Sequence, residues 1–246
     1  MNSSELAQFL PWDSEFFGLR IARYLPEELT SESLAALMDW QRTQAMDCLY
    51  FLADPNQAKS LRLAEANNFH LTDLRITLES SGGIVQEMPA SIRPFKENDR
   101  AALRAIARVS HRDSRFYFDN HFPSERCDSL YETWIDRSVD GYADATLVAE
   151  VEGNAAGYIT CHRDAGEGRI GLVGVHNEYQ GRSLGQWLVK ASLAWFSGAG
   201  FNKVSVVTQG RNIRAQRLYQ RCGFMTRSVQ LWYHWWDEQK NKEHYL

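Results

Sequence analysis

Apolar and polar positions alternate with different rhythms in two parts of the chain. In the first part, Leu34, Leu37, Met38, Trp40 and Gln41 follow the acidic pair Glu27-Glu28 at helical spacing, which predicts an amphipathic helix. Cys48 to Leu52 is an apolar run of strand length. Residues 57–67 form a second helical pattern with Leu61 and Ala64 inward, and residues 71–78 alternate as a half-buried strand does. Ser80-Ser81-Gly82-Gly83, with Pro89 and Pro94 behind it, punctuates the chain. The expected division is an N-terminal α/β domain at 1–85 and a second domain at 90–246.

Beyond the break, Asp99 is expected to cap a helix through Val109 with Leu103, Ile106 and Ala107 on one face. Residues 110–123 are polar and aromatic and take no element, and 129–140 reads as a helix. Strands are expected at 145–151, 156–162 and 168–175, then a helix at 184–196, a strand at 203–208, a helix at 213–221 and a strand at 224–235. Three strands in a row followed by β-α-β units imply a mixed sheet with helices packed on it, an α/β (α+β) class. Leu61 to Leu78 and Leu218 to Leu231 both run from a helix end through a phenylalanine into an alternating strand. Either they share turn chemistry, or the N-terminal region is a degenerate half-copy of the second domain.

Composition narrows the function. The 246 residues are 44% hydrophobic, enough for a sizeable core, and carry a formal charge of −4, which argues against a nucleic-acid partner. Apolar runs such as Ile170 to Val175 are too short to cross a membrane. Met1 to Leu10 lacks the charged and apolar segments of a secretory leader, so the cytoplasm is the expected location. Cys48, Cys127, Cys161 and Cys222 form no CxxC pair and imply neither a disulfide framework nor a metal site.

The chemistry is concentrated in two segments. Val173-Gly174-Val175 ends an apolar strand, and Gln180-Gly181-Arg182-Ser183-Leu184-Gly185 then opens a periodic helix. A strand–turn–helix of this kind gathers unbonded N–H groups at a helix N-terminus, where a phosphate is held. The second segment, 27 residues after Gly185, starts at Asn212 as a helix cap and ends at Gly223. Ala215, Leu218 and Cys222 make its apolar stripe, with Tyr219 directed off it toward a cleft edge.

Gln180-Gly181-Arg182-Ser183-Leu184-Gly185 resembles the pyrophosphate-binding signature of the GNAT superfamily of N-acyltransferases, with Ser183 where the middle glycine is usual. Asn212, Ala215, Leu218-Tyr219 and Cys222-Gly223-Phe224 resemble that superfamily's second signature. The resemblance covers about Ala145 to Trp235. It implies a mixed, mostly antiparallel GNAT sheet and acetyl-CoA, or another short acyl-CoA, as co-substrate, with no metal. The strand at 168–175 splays from the one at 203–208 and admits the pantetheine arm, which pairs with backbone groups of Val173 and Val175. An amine then attacks the thioester directly, and Tyr219 protonates the leaving thiolate. His162, Asp164, His176 and Glu178 are the candidate bases; the amine's proton can also leave through water.

Trp12-Asp13-Ser14-Glu15-Phe16-Phe17-Gly18, Asp113 to Asp119, and Tyr131 with Trp134 and Ile135 resemble the dTDP-fucosamine acetyltransferase family. That implies a nucleotide-linked amino sugar as acceptor. Arg115, Phe116 and Tyr117 offer a cation and two aromatic faces for it, and His162 is a further candidate for contact with the acceptor; the same aromatics would equally anchor a surface loop. The aromatic run Leu231 to Trp236 is a final strand that also suits a homodimer interface. Two alternatives remain: another amine (protein N-terminus, polyamine, aminoglycoside), or a non-catalytic acyl-CoA-binding module.

Overall fold

A computed structural model describes residues 6–81, 89–164 and 166–238; Gly82 and Gly83 of the expected break lie outside them. In chain order the elements are β1 (Ala7–Phe9), α1 (Pro11–Phe17), β2 (Ile21–Tyr24), α2 (Ser31–Gln44), β3 (Cys48–Ala53), α3 (Ala58–Ala66), β4 (Phe69–Ser80) and β5 (Ile92–Pro94). Then come α4 (Arg100–Ser110), α5 (Arg115–Phe118), α6 (Ser124–Arg137), β6 (Ala145–Val151), β7 (Asn154–Asp164), β8 (Glu167–Val175), α7 (Leu184–Gly198), β9 (Val204–Gln209), α8 (Ile213–Arg221) and β10 (Met225–Trp236). The helix α8 has its expected ends, and the segment 110–123 that took no element contains α5. No helix among the described residues is long and apolar enough to cross a membrane. The architecture is a mixed sheet with helices packed on it, as the resemblance implies.

The residues group into two compact units: Met1–Arg75 with Phe118–Phe122 and Val229–Leu246, and Ile76–Tyr117 with Pro123–Ser228. In the first, Thr30 caps α2 by accepting from the Ser33 N–H, while the Ser33 hydroxyl accepts from Thr30 N–H, a reciprocal box that satisfies two donors. β2 runs parallel to β3, and β10 pairs antiparallel with it from Leu231↔Ala53 to Trp236↔Cys48. With neighbours on both edges and side chains packed, β3 is buried almost throughout, which accounts for its uninterrupted apolar run. Leu37, Leu49, Phe51, Phe69 and Tyr233 centre this unit's core.

Asp119 is buried in the same unit. Its Oδ2 accepts from His234 Nδ1 at 2.6 Å and Trp236 Nε1 at 2.9 Å. Its Oδ1 takes the His121 backbone N–H at 3.1 Å and lies 2.7 Å from His121 Nδ1. Burial alone would raise this carboxyl, but the bonds and charge from His234, with those of His121 and Trp236, outweigh it and hold the group well below the usual range.

In the second unit the strand order is β4-β9-β8-β7-β6-β5. The helix α7 buries Leu188, Val189, Ala191 and Phe196 in its core. Helices α4 and α6 are matched by charge. Arg100, Arg104 and Arg108 recur every fourth residue on α4, as do Asp128, Glu132 and Asp136 on α6, so each set shares a helical face, and Arg112 and Asp140 continue the two series just past the helix ends. The ion pairs include Arg104 with Glu132 and Asp136, Arg100 with Asp140 and Arg112 with Asp128. Asp99 does not cap α4: its backbone is already helical and its side chain makes no cap bond. Its carboxylate instead accepts from the Lys96 N–H and binds Arg93, and the Arg93 hydrogen bonds hold it below its ordinary range.

Candidate active site

The site begins where two strands part. β9 pairs with β8 only from Gly168↔Val204 to Ile170↔Val206, although β8 continues to Val175 and β9 to Gln209. On the other edge of β8 the register with β7 shifts between Ile159 and Cys161, so Gly171 and Leu172 both face Thr160. The Thr160 hydroxyl accepts the Leu172 N–H at 2.8 Å. A Cβ on Gly171 would lie 2.5 Å from both Thr160 Oγ1 and His162 Nε2, so the bulge requires glycine here.

Beyond the bulge the ladder has a fixed hydrogen-bond phase. His176 N–H donates to Ala156 O, and in an antiparallel ladder bonded and non-bonded pairs alternate. Tyr158 and Gly174 are therefore a bonded pair, whereas Val173 and Val175 turn their N–H and C=O groups away from β7. They turn toward the gap beside β9. The Val175 carbonyl there accepts from Gln180 Nε2 at 3.3 Å.

The next element supplies positive potential. Gly181 has φ 81° and Ser183 has φ 61°, so the turn reverses sharply into α7. Ser183 makes no side-chain cap bond. Trp187 N–H is the first to reach a helical carbonyl, that of Ser183 at 3.1 Å. The N–H groups of Leu184, Gly185 and Gln186 therefore stand at the helix start without helical acceptors, in the positive end of the dipole. Such a helix start favours an anion. Gln180 braces the turn: Oε1 accepts from Arg214 Nη1 at 2.9 Å and Nε2 donates to Asn177 Oδ1 at 2.8 Å.

The helix α8 forms another part of the wall. Asn212 Oδ1 accepts the Ala215 N–H at 2.9 Å, the cap read from the sequence. The expected stripe is displaced, however. Ala215, Leu218 and Cys222 are half-buried, while Tyr219 is 5% exposed and joins the core beside Phe224. The reason is the cleft. Ala215 and Leu218 line it, and Leu218 Cδ2 comes within 3.3 Å of where a Cβ on Gly185 would stand. Burial pushes the Tyr219 phenol well above its ordinary range, so it keeps its proton throughout the neutral region.

These segments enclose a cleft of about 480 Å³. Val173, Gly174, Val175, Gln180, Gly181, Ser183, Leu184, Gly185, Asn212, Ala215 and Tyr219 all line it. Arg182 does not, its guanidinium lying 5.4 Å from the Tyr179 ring centroid. Arg115, Phe116, Tyr117 and His162 are also outside the lining. The Arg115 guanidinium lies 4.3 Å from the Phe116 ring centroid, Phe116 is buried, and the Tyr117 hydroxyl donates to Asp128 at 2.6 Å. His162 is buried at the bulge, and that burial lowers its pKa. Asp164 pairs with Arg169, His176 Nδ1 accepts the Glu178 N–H, and Glu178 is exposed.

Val109, Ser110, Arg112 and Asp113, together with Arg214 and Arg221, form a further wall that no motif in the sequence marks. The charge ladder that runs through α4 to Arg112 was the available signal that this stretch is held against α6.

The family model described as "Acetyltransferase (GNAT) family" matches residues 106–224. The chain is 28% identical over 230 residues to the dTDP-fucosamine acetyltransferase of Escherichia coli O6:H1, covering 91% of this chain and 95% of that one. It is 26% identical over 149 residues to the spore coat polysaccharide biosynthesis protein SpsD of Bacillus subtilis, covering 61% of this chain and 52%, about half, of that relative's length. Among solved structures, a GCN5-related N-acetyltransferase from Sphaerobacter thermophilus superimposes with a TM-score of 0.64 at 18% identity, covering 93% of this chain and 75% of that chain.

Proposed function

This chain belongs to the acetyltransferase (GNAT) family, whose members use an acyl-CoA donor, and we propose that its acceptor is the amine of a dTDP-linked amino-dideoxysugar. The acyl group proposed is acetyl or a short hydroxyacyl. The observation that carries the acceptor is the similarity to dTDP-fucosamine acetyltransferase across 91% of this chain and 95% of that one, which reaches beyond the residues matched by the family model.

In this reading the CoA pyrophosphate sits on the N–H groups at the start of α7, and the pantetheine arm lies along the open edge of Val173 to Val175. The amine attacks the thioester carbonyl, a C–N bond forms and the C–S bond breaks. The departing sulfur takes the Tyr219 proton. A positioned acid of this kind contributes roughly 10²–10⁴ in rate. The buried, protonated phenol described above supports that assignment.

The test is thiol release from acetyl-CoA with a panel of dTDP-amino-dideoxysugars, comparing wild type with Tyr219→Phe. Turnover of one sugar nucleotide that drops by two or more decades in the variant is the expected outcome. Binding of acetyl-CoA without turnover of any member of the panel would refute the sugar-nucleotide acceptor with this donor.

A further inference from the structure

The cleft has donors for phosphate and an acid for sulfur, but the reaction also needs a group to receive the amine's proton. None of His162, Asp164, His176 and Glu178 lines it. Among the residues that do, there is no histidine, glutamate, cysteine or lysine, and Asp113 is the one carboxylate. We infer that Asp113 holds the acceptor's ammonium group and takes its first proton. The inference rests on the acetyltransferase reading, not on the identity of the acceptor.

Several observations point the same way. Asp113 is half-buried, and among the described residues it makes no ion pair or hydrogen bond. Its neighbour Arg112 is committed elsewhere, 3.1 Å from Asp128 and with its guanidinium 4.9 Å from the Tyr117 ring centroid. A cleft carboxylate that makes no ion pair among the described residues is a place for a cationic ligand. The backbone adds to this, because Val109 and Ser110 on the same wall are the last residues of α4. A helix C-terminus carries negative partial charge and favours a cation nearby. The start of α7 and the end of α4 thus offer opposite potentials, one to pyrophosphate and the other to ammonium.

The proton ledger closes. The ammonium gives one proton to the Asp113 carboxylate, and the free amine adds to the thioester. When the C–S bond breaks, sulfur takes the Tyr219 proton. The extra proton still on nitrogen returns to the tyrosinate, and Asp113 releases its own to solvent. The products are amide, free CoA thiol and one proton.

The test uses the full chain, with Asp113→Asn and Asp113→Glu beside wild type. Acetyl-CoA affinity is measured by calorimetry, and thiol release is followed with two acceptors, a dTDP-linked amino-dideoxysugar and ethanolamine at high concentration. Asp113→Asn is expected to bind acetyl-CoA within about twofold of wild type yet lose 10²–10⁴ in kcat/KM with every acceptor that wild type uses. Asp113→Glu, which restores a carboxylate, is expected to recover part of the rate. Turnover of ethanolamine alone, abolished in Asp113→Asn, would support the assignment and refute the sugar-nucleotide acceptor. Equal rates in wild type and Asp113→Asn with both acceptors, or a parallel loss of acetyl-CoA binding, would overturn it.

Discussion

Asp119→Asn is the sharpest test of how the first unit is held together. The carboxylate receives two contacts on each oxygen: His234 Nδ1 and Trp236 Nε1 on Oδ2, and the His121 N–H and Nδ1 on Oδ1. An amide has one oxygen and one NH₂. Whichever way it turns, the NH₂ meets an N–H that cannot become an acceptor, either the Trp236 indole or the His121 backbone. The less costly orientation keeps oxygen toward buried His234 and Trp236 and turns NH₂ toward His121, whose side chain is 37% exposed and reaches water.

A hydrogen bond to a buried charged group is worth about 1.5–3 kcal/mol, and breaking a buried ion pair costs about 3–5 kcal/mol. Relief at His121 places the expected loss at the lower end, about 3 kcal/mol. Urea unfolding followed by tryptophan fluorescence at pH 7 measures it directly. The pH dependence follows from the depressed carboxyl. Because its folded value lies below the unfolded value of about 3.9, its contribution is complete above roughly pH 5 and fades as pH falls. The gap between wild type and variant should therefore narrow from pH 5 to pH 3. A loss under about 0.5 kcal/mol at pH 7, or a gap that widens on acidification, would refute the reasoning.

Other expectations concern the second unit. Ser183→Gly relieves a left-handed residue at φ 61°, a strain of about 1–2 kcal/mol, against roughly 0.5–1 kcal/mol of added chain entropy. The variant should melt at or slightly above wild type and keep acetyl-CoA affinity within a few-fold; clear destabilisation would mean the side chain has a structural role. Gly174→Ala places a Cβ 2.8 Å from the Tyr158 ring and 2.9 Å from Ile106 Cγ2, so overpacking should cost about 1–3 kcal/mol in thermal or urea unfolding. Tyr219→Phe should leave stability nearly unchanged, since among the described residues the phenol hydroxyl has no hydrogen-bond partner. A large stability loss there would mean the hydroxyl is structural.

Local chemistry was legible wherever it depends on neighbouring positions. The Asn212 cap, the ends of α8, the buried run of β3 and the Gly-containing turn before α7 each follow from residues a few places apart, because caps, turns and periodicity act over one helical turn or one strand. The two signatures likewise located the α7 and α8 walls of the cleft. Tertiary packing decided what no window of sequence contains. The open edge of Val173 and Val175 exists because β9 leaves β8 after Ile170 and the Gly171 bulge redirects the strand. That edge left the Leu218 face of α8 half-covered and made Tyr219 its buried residue. Arg115, Phe116 and Tyr117 had the composition of a ligand loop. Phe116 instead lies in the core, Tyr117 is bonded to Asp128 of α6, and Asp113 a few residues earlier is in the cleft. Residue types in a loop define its chemical repertoire, while the helices that bound it, here α4 and α6 locked by their charge ladders, decide which side chain reaches the site.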